Sequence, residues 1–122
     1  MVRILIIDDS EVIRNLLKDF LIDCGYEVEL AVDGQEGIEK ACQGNYDIAI
    51  CDIHMPRKNG YQVFKEVSIK KPKTCFIMTD SLPDELAEMA LEAGAHQCLT
   101  KPFDLDQVRA TLDILVKQRQ RV

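Results

Sequence analysis

Seven polar residues stand where four apolar runs stop. "RILII" is followed by Asp8 and Asp9, "YDIAIC" by Asp52, "TCFIM" by Thr79 and then Asp80, and "HQCL" by Thr100 and Lys101. Taken singly, each has an ordinary explanation: Asp9 could cap a helix, Asp52 could belong to a turn, Thr79 is a common strand-end residue and Lys101 could be a solvated charge. Gathered at one place they have a different meaning. Carboxylates held close together repel one another, and a bound cation relieves that repulsion. The donors are hard oxygens without a His or Cys pair, which points to Mg²⁺ (or Mn²⁺), an ion that takes one or two carboxylates, keeps waters and binds a phosphate oxygen. With a lysine and a hydroxyl added, these are the parts that hold a phosphoryl group during transfer. The chain has no Gly-rich phosphate loop, so a bound nucleotide is not indicated.

Gathering those residues requires that the apolar runs be neighbouring strands. "RILII" (3–7) is a short continuous apolar run, the pattern of a strand covered on both faces. Ser10 can cap a helix in which Ile13, Leu16, Leu17, Phe20 and Leu21 recur at helical spacing, ending at Gly25. "YEVELA" (26–31) alternates and reads as a strand nearer an edge. Asp33-Gly34 reads as a turn before a short helix, "QEGIEKACQG". "YDIAIC" (46–51) is the next buried strand, and "DIHMPRKNG" (52–60) is a loop with an Asn-Gly turn. A helix over 61–71, closed by Pro72, leads to the strand "TCFIM" (74–78).

Pro83, Asp84 and Glu85 suit a helix N-terminus, and Leu86, Met89, Ala90 and Ala93 form one face of that helix. "HQCLT" (96–100) is the fifth strand. Asp104 with Gln107 resembles a capping box; Leu105, Val108, Leu112 and Leu115 mark the last helix, with "KQRQRV" remaining. Five strands alternating with five helices predict an α/β domain: a doubly wound, five-stranded parallel sheet with helices on both faces. In such a sheet the strands share one C-terminal edge, where ligands bind.

Composition narrows the function further. A chain of 122 residues, 47% apolar, is sized for one domain with one core. A net charge of −6 argues against direct contact with nucleic acid or anionic membranes, which attract Lys/Arg clusters. The apolar run of "MVRILIIDDS" is too short for a signal peptide and no stretch reaches the length of a membrane span, so a cytoplasmic protein is expected. Cys24, Cys42, Cys51, Cys75 and Cys98 are an odd, widely spaced set without C-x-x-C, which fits neither a disulfide framework nor a zinc site. Cys51, Cys75 and Cys98 lie in apolar runs and are expected to be buried thiols. His54 and His96 read as partly exposed loop and surface residues, and Lys70, Lys71 and Lys73 as a solvated patch.

"LIIDDS", "AVDGQEG", "YDIAICDIHMPRKNG", "FIMTD" and "EAGAHQCLTKPF", in that order, resemble the receiver domain of bacterial two-component response regulators across nearly the whole chain. The resemblance implies a flavodoxin-like strand order 2-1-3-4-5, an order for which this family is a standard example, and a single receiver domain over residues 1–122 with no output domain in this chain. It implies that Asp52 is the phosphoacceptor, attacking the phosphoryl group of a sensor histidine kinase or a phosphotransfer protein. Asp9, Asp52 and the backbone carbonyl of His54 would ligate Mg²⁺, with Asp8 acting through water. Thr79 and Lys101 would hold phosphoryl oxygens, and Pro102 would follow Lys101 across a cis peptide. A residue before proline is also pushed toward extended geometry, which keeps Lys101 over the strand edge. Phosphorylation would shift a population between two states. The face formed by the fourth helix, fifth strand and fifth helix would then change its output partner, the protein being a monomer or a phosphorylation-dependent dimer.

Two departures from the family pattern stand out, and two further positions bear on the site. Cys98 occupies the place of the usual Tyr or Phe, so the output is expected to follow backbone and loop shifts rather than a rotating ring. Asp80 replaces a small residue after Thr79 and is expected to repel anionic phosphodonors. His54 and Ser81, two positions beyond Asp52 and Thr79, occupy places that tune the lifetime of the phosphoryl group. Two other classes fit less well. A phosphohydrolase with an Asp nucleophile would need a second Asp where His54 stands, and a flavodoxin-like redox carrier would need a phosphate loop where "DDSE" stands.

Overall fold

The computed structural model describes residues 1–120. Five strands, β1 (Arg3–Ile7), β2 (Glu27–Ala31), β3 (Ile48–Asp52), β4 (Cys75–Asp80) and β5 (Gln97–Thr100), alternate with α1 (Glu11–Asp23), α2 (Gly34–Gln43), α3 (Gly60–Lys70), α4 (Glu85–Glu92) and α5 (Leu105–Gln120). The strands are all parallel, in the order β2-β1-β3-β4-β5. The most polar strand, β2, is at one edge, as its alternation predicts.

Strand alternation divides the core into two layers. Ile4, Ile6, Ile48, Ile50, Ile77 and Leu99 face Leu17 and Leu21 of α1 and Val108, Leu112 and Leu115 of α5. Leu5, Ile7, Ala49, Cys51, Phe76 and Met78 face α2, α3 and α4. Each fully buried Ile or Leu contributes about 1.5–3 kcal/mol relative to exposure, so the central strands are the best-anchored part of the molecule. That rigidity is what the C-terminal edge of the sheet inherits.

Several local expectations are corrected. Asp33-Gly34 and Asn59-Gly60 are helix starts rather than free turns. Asp33 caps α2, accepting from the Glu36 N–H at 2.8 Å. Asn59 caps α3 in a reciprocal capping box with Gln62, both bonds at 2.9 Å. Gly60 is then the first helical residue, and it lacks a side chain for a steric reason: a Cβ there would lie 2.4 Å from the Asp52 carbonyl oxygen. The β3–α3 loop can therefore fold back tightly on the end of β3, with the Gly60 N–H donating to the Ile53 carbonyl at 2.7 Å.

Asp104 makes no capping box with Gln107; its carboxylate accepts from the Asp106 N–H at 2.8 Å. On α4 the buried residues are Ala87 and Ala90, while Met89 is exposed, because small residues let the helix lie close to the sheet. β3 starts at Ile48 and includes Asp52, and β4 includes Thr79 and Asp80, because the ladder continues past the apolar run. The last helix takes in residues 117–120 of "KQRQRV"; the final two residues lie outside the described ones. Cys51 is buried, but Cys75 and Cys98 are only half-buried. Among the described residues no helix is long and apolar enough to cross a membrane.

Candidate functional site

Asp8, Asp52, Thr79 and Lys101 extend the strand positions that face α1 and α5. The β1–β3 and β3–β4 registers set Asp52 opposite Thr79 and one position beyond the Ile7–Cys51 pair. Ladder bonds carry the same alignment past the strand ends, from the Asp8 N–H to the Ala31 carbonyl (3.2 Å) and from the Lys101 N–H to the Asp80 carbonyl (2.7 Å). Four residues distant in sequence are thereby fixed on one side of one edge by backbone geometry.

The Lys101 ammonium meets Asp8 Oδ2 at 2.9 Å and Asp52 Oδ1 at 3.4 Å. Asp8 is buried, its Oδ1 accepting from the Ser10 N–H at 2.9 Å. Ser10 itself caps α1, and Arg14 donates to the Asp8 carbonyl at 2.8 Å, so the β1–α1 turn is tied down from both sides. Asp9 is exposed at the rim. One carboxylate oxygen from each of Asp8, Asp9 and Asp52 falls within 4.8 Å of the others. The Lys101–Pro102 peptide is cis.

Three carboxylates against one lysine leave the cluster short of positive charge. The Asp52 carboxyl, only 6% exposed, is pushed up to about 6, first by burial and then by the Asp8 charge; Lys101 pulls it down and Asp9 adds to the rise. Burial alone would lower the Lys101 ammonium, but its hydrogen bond and attraction to Asp8, with help from Asp52, leave it raised above its usual value. An all-oxygen donor set with unbalanced negative charge fits a hard divalent cation.

Asp80 takes a different direction. It has the parity of Met78 and lies on the α4 side, 1% exposed, with Oδ1 accepting from the Leu82 N–H at 3.3 Å. Its other oxygen faces His54 Nε2 at 3.5 Å, and the same nitrogen is 3.0 Å from Asp84 Oδ2. A cleft of about 310 Å³ is lined by Asp52, His54, Asp80, Ser81, Leu82 and Asp84, so the phosphoacceptor candidate and this second cluster share one opening. Sequence reading took Asp84 as a helix-start residue, which it is, and missed its convergence with His54. The Asp52–Thr79 pairing makes the residues just beyond both neighbours, but spacing alone does not say which way Asp80 turns.

Cys98 packs beneath that cluster, against the core layer of α2, α3 and α4. Burial, then Asp80, Asp52 and Asp84, push its thiol up, and burial does the same more strongly for Cys51. Both are therefore poor nucleophiles. His96 is exposed. Wider clefts at the opposite edge of the sheet surround an ion-paired seam, where Arg119 reaches Asp47 at 2.9 Å and the Lys73 carbonyl at 2.7 Å.

A doubly wound sheet with carboxylates, a threonine and a lysine converging at its C-terminal edge defines a phosphoryl-handling class of α/β domain. The profile of the response regulator receiver domain matches residues 4–113, and the chain belongs to that family, the receivers of two-component signalling. It is 38% identical over 121 residues to the transcriptional regulatory protein CiaR of Streptococcus pneumoniae, covering 97% of this chain and 53% of that protein. It is 33% identical to the transcriptional regulatory protein PdtaR of Mycobacterium tuberculosis, covering 98% and 59%. The chain thus spans about half the length of the curated relatives it matches. Among solved structures, the Vibrio cholerae chemotaxis protein CheY4 superposes with a TM-score of 0.87 at 33% identity, covering 94% of this chain and 98% of that one. The response regulator TrrA of Thermotoga maritima, solved in complex with Mg²⁺-BeF, gives 0.83 at 34%, covering 94% and 99%.

Proposed function

We propose that Asp52 accepts a phosphoryl group from the phosphohistidine of a sensor histidine kinase or phosphotransfer protein. A carboxylate oxygen of Asp52 attacks phosphorus, an O–P bond forms, and the P–N bond breaks. The departing imidazole nitrogen keeps the electron pair and takes up a proton. Hydrolysis later returns the carboxylate as water attacks the same phosphorus.

The observation that carries this reading is the position of Asp52: on the central strand, at the mouth of a cleft, 3.4 Å from Lys101 and with Asp8 and Asp9 within ligand-sharing reach. Asp8, Asp9, Asp52 and the His54 carbonyl would hold Mg²⁺ (or Mn²⁺), which when bound neutralises charge on the carboxylates and on the phosphoryl oxygens. Lys101 exchanges part of its contact with Asp52 for a phosphoryl oxygen while keeping Asp8. Thr79, directly across the ladder, donates its hydroxyl to another oxygen. Pro102 keeps the backbone extended behind Lys101. His54, Asp80 and Ser81 line the approach and set how readily donor and water enter.

Phosphorylation shifts the loops after β3 and β4, and the α4–β5–α5 face presents the output. Exposed Met89 and Leu91 on α4 supply apolar surface for an output protein or for a second, phosphorylated copy. The acidic domain itself is not the part that meets nucleic acid, and it works in the cytoplasm beside the kinase. Incubation with Mg²⁺ and acetyl phosphate should add about 80 Da, one phosphoryl group, to the intact mass. An undiminished adduct in Asp52→Asn would sink the assignment.

A further inference from the structure

We propose that His54, Asp80 and Asp84 form a second cation site, separate from the carboxylates around Asp52, that takes a first-row transition-metal ion such as Zn²⁺. This site does not depend on the phosphoryl-transfer reading.

The three side chains come from three segments: His54 just past β3, Asp80 at the end of β4, and Asp84 at the N-cap of α4. Their ligand atoms fall within 4.8 Å of one another. His54 Nε2 is 3.0 Å from Asp84 Oδ2 and 3.5 Å from Asp80 Oδ2. A four-coordinate zinc with bonds of about 2.0–2.2 Å places neighbouring ligand atoms roughly 3.3–3.6 Å apart by tetrahedral geometry, so one contact already has that spacing and the other needs a few tenths of an ångström.

A charge pair with protonated His54 is the simpler alternative, and it leaves an atom unexplained. A single Nε2–H can bond to Asp84 at 3.0 Å. Asp80 Oδ2 is then left with no hydrogen-bond partner, in a side chain that is 1% exposed. An orphaned buried carboxylate oxygen costs about 1–3 kcal/mol or more, and this one faces the imidazole. A metal ion satisfies both carboxylates and the nitrogen together, which one proton cannot do.

The scaffold is already set. Asp80 Oδ1 is held by the Leu82 N–H, and Asp84 Oδ1 by the Leu86 N–H at 3.0 Å, which leaves each Oδ2 free to turn toward His54. The donor set also separates the two clusters. Imidazole nitrogen favours zinc and its transition-metal neighbours, whereas the all-oxygen set of Asp8, Asp9 and Asp52 favours magnesium. Three protein ligands leave a fourth position open toward the cleft shared with Asp52. An ion there would tie the loop after β3 to the N-terminus of α4.

The test is zinc binding by competition with a chromophoric chelator, in millimolar Mg²⁺ and a phosphine reductant. Wild type should bind one equivalent. His54→Gln and Asp84→Asn should each weaken it by at least about 10-fold, the size of effect seen when metal-site residues are lost. Both positions are exposed, and Asn retains the cap of α4, so both variants should fold. Asp52→Asn should keep the full equivalent. No zinc bound in wild type, wild-type affinity in both variants (which would place the ion on thiols), or loss in Asp52→Asn would each overturn the proposal.

Discussion

Replacing Asp52 with asparagine should stabilise the protein, and by an amount that depends on pH. In the unfolded chain Asp52 loses its proton near 3.8, and in the folded protein it holds it until about 6. Between those values the folded state binds more protons than the unfolded state, so stability falls as pH rises. The contribution is fully present below 3.8 and is lost as pH rises through 6. A displacement of about two pH units corresponds to roughly 3 kcal/mol, and Asp52 is buried enough that solvent screening removes little of it. Asparagine carries no charge at any of these pH values, so it escapes the loss. At neutral pH, Asp52→Asn should therefore be more stable by about 1–3 kcal/mol, or roughly 4–12 °C for a chain of 122 residues. Near pH 4.5 the gap should shrink to about a third. Urea unfolding followed by circular dichroism, at matched ionic strength across that range, measures it. A variant no more stable than wild type at neutral pH, or a gap indifferent to pH, would refute the picture of an under-compensated carboxylate cluster.

Other consequences follow from the same geometry. Lys101→Met removes the cation that meets Asp8 and Asp52, and should cost about 1–3 kcal/mol after allowance for its partial exposure; it should also move the pH midpoint of acetyl-phosphate labelling upward, and a midpoint that stays put would contradict the pairing. Asp80→Ala should label faster with acetyl phosphate than wild type does, because a carboxylate is removed from the cleft; an unchanged rate would show that Asp80 does not hinder anionic donors. Cys98 should react with a thiol alkylator at nearly the same rate with and without a beryllofluoride mimic, since no ring swings at that position. A large change there, sufficient by itself to track output, would contradict switching through loops and backbone.

The architecture was legible because the signals were redundant. Continuous apolar runs marked β1, β3 and β4, and the residue after each run marked the functional edge; parallel register then did the rest, setting Asp52 against Thr79. Strand ends were misjudged where polar residues remain in the ladder, as Asp52, Thr79 and Asp80 do. Asp33-Gly34 and Asn59-Gly60 differ from a turn reading for another reason: a short polar side chain that favours turns also caps helices, and only the following backbone decides between them. The Asp8, Asp52 and Lys101 cluster was legible as a set. The turning of Asp80 toward His54 and Asp84 was not, because it depends on which face β4 presents to α4, a fact of packing rather than of spacing.

The central claim is that a phosphoryl group resides on Asp52 as an acyl phosphate. Borohydride reduces an acyl phosphate to the alcohol, so protein labelled with acetyl phosphate in Mg²⁺, then reduced and digested, should carry homoserine in place of aspartate in the peptide that contains "CDIHMPR". Homoserine at position 52 alone is the expected result. Reduction at Asp8, Asp9 or Asp80 instead, or a phosphoryl group that resists borohydride, would contradict the account.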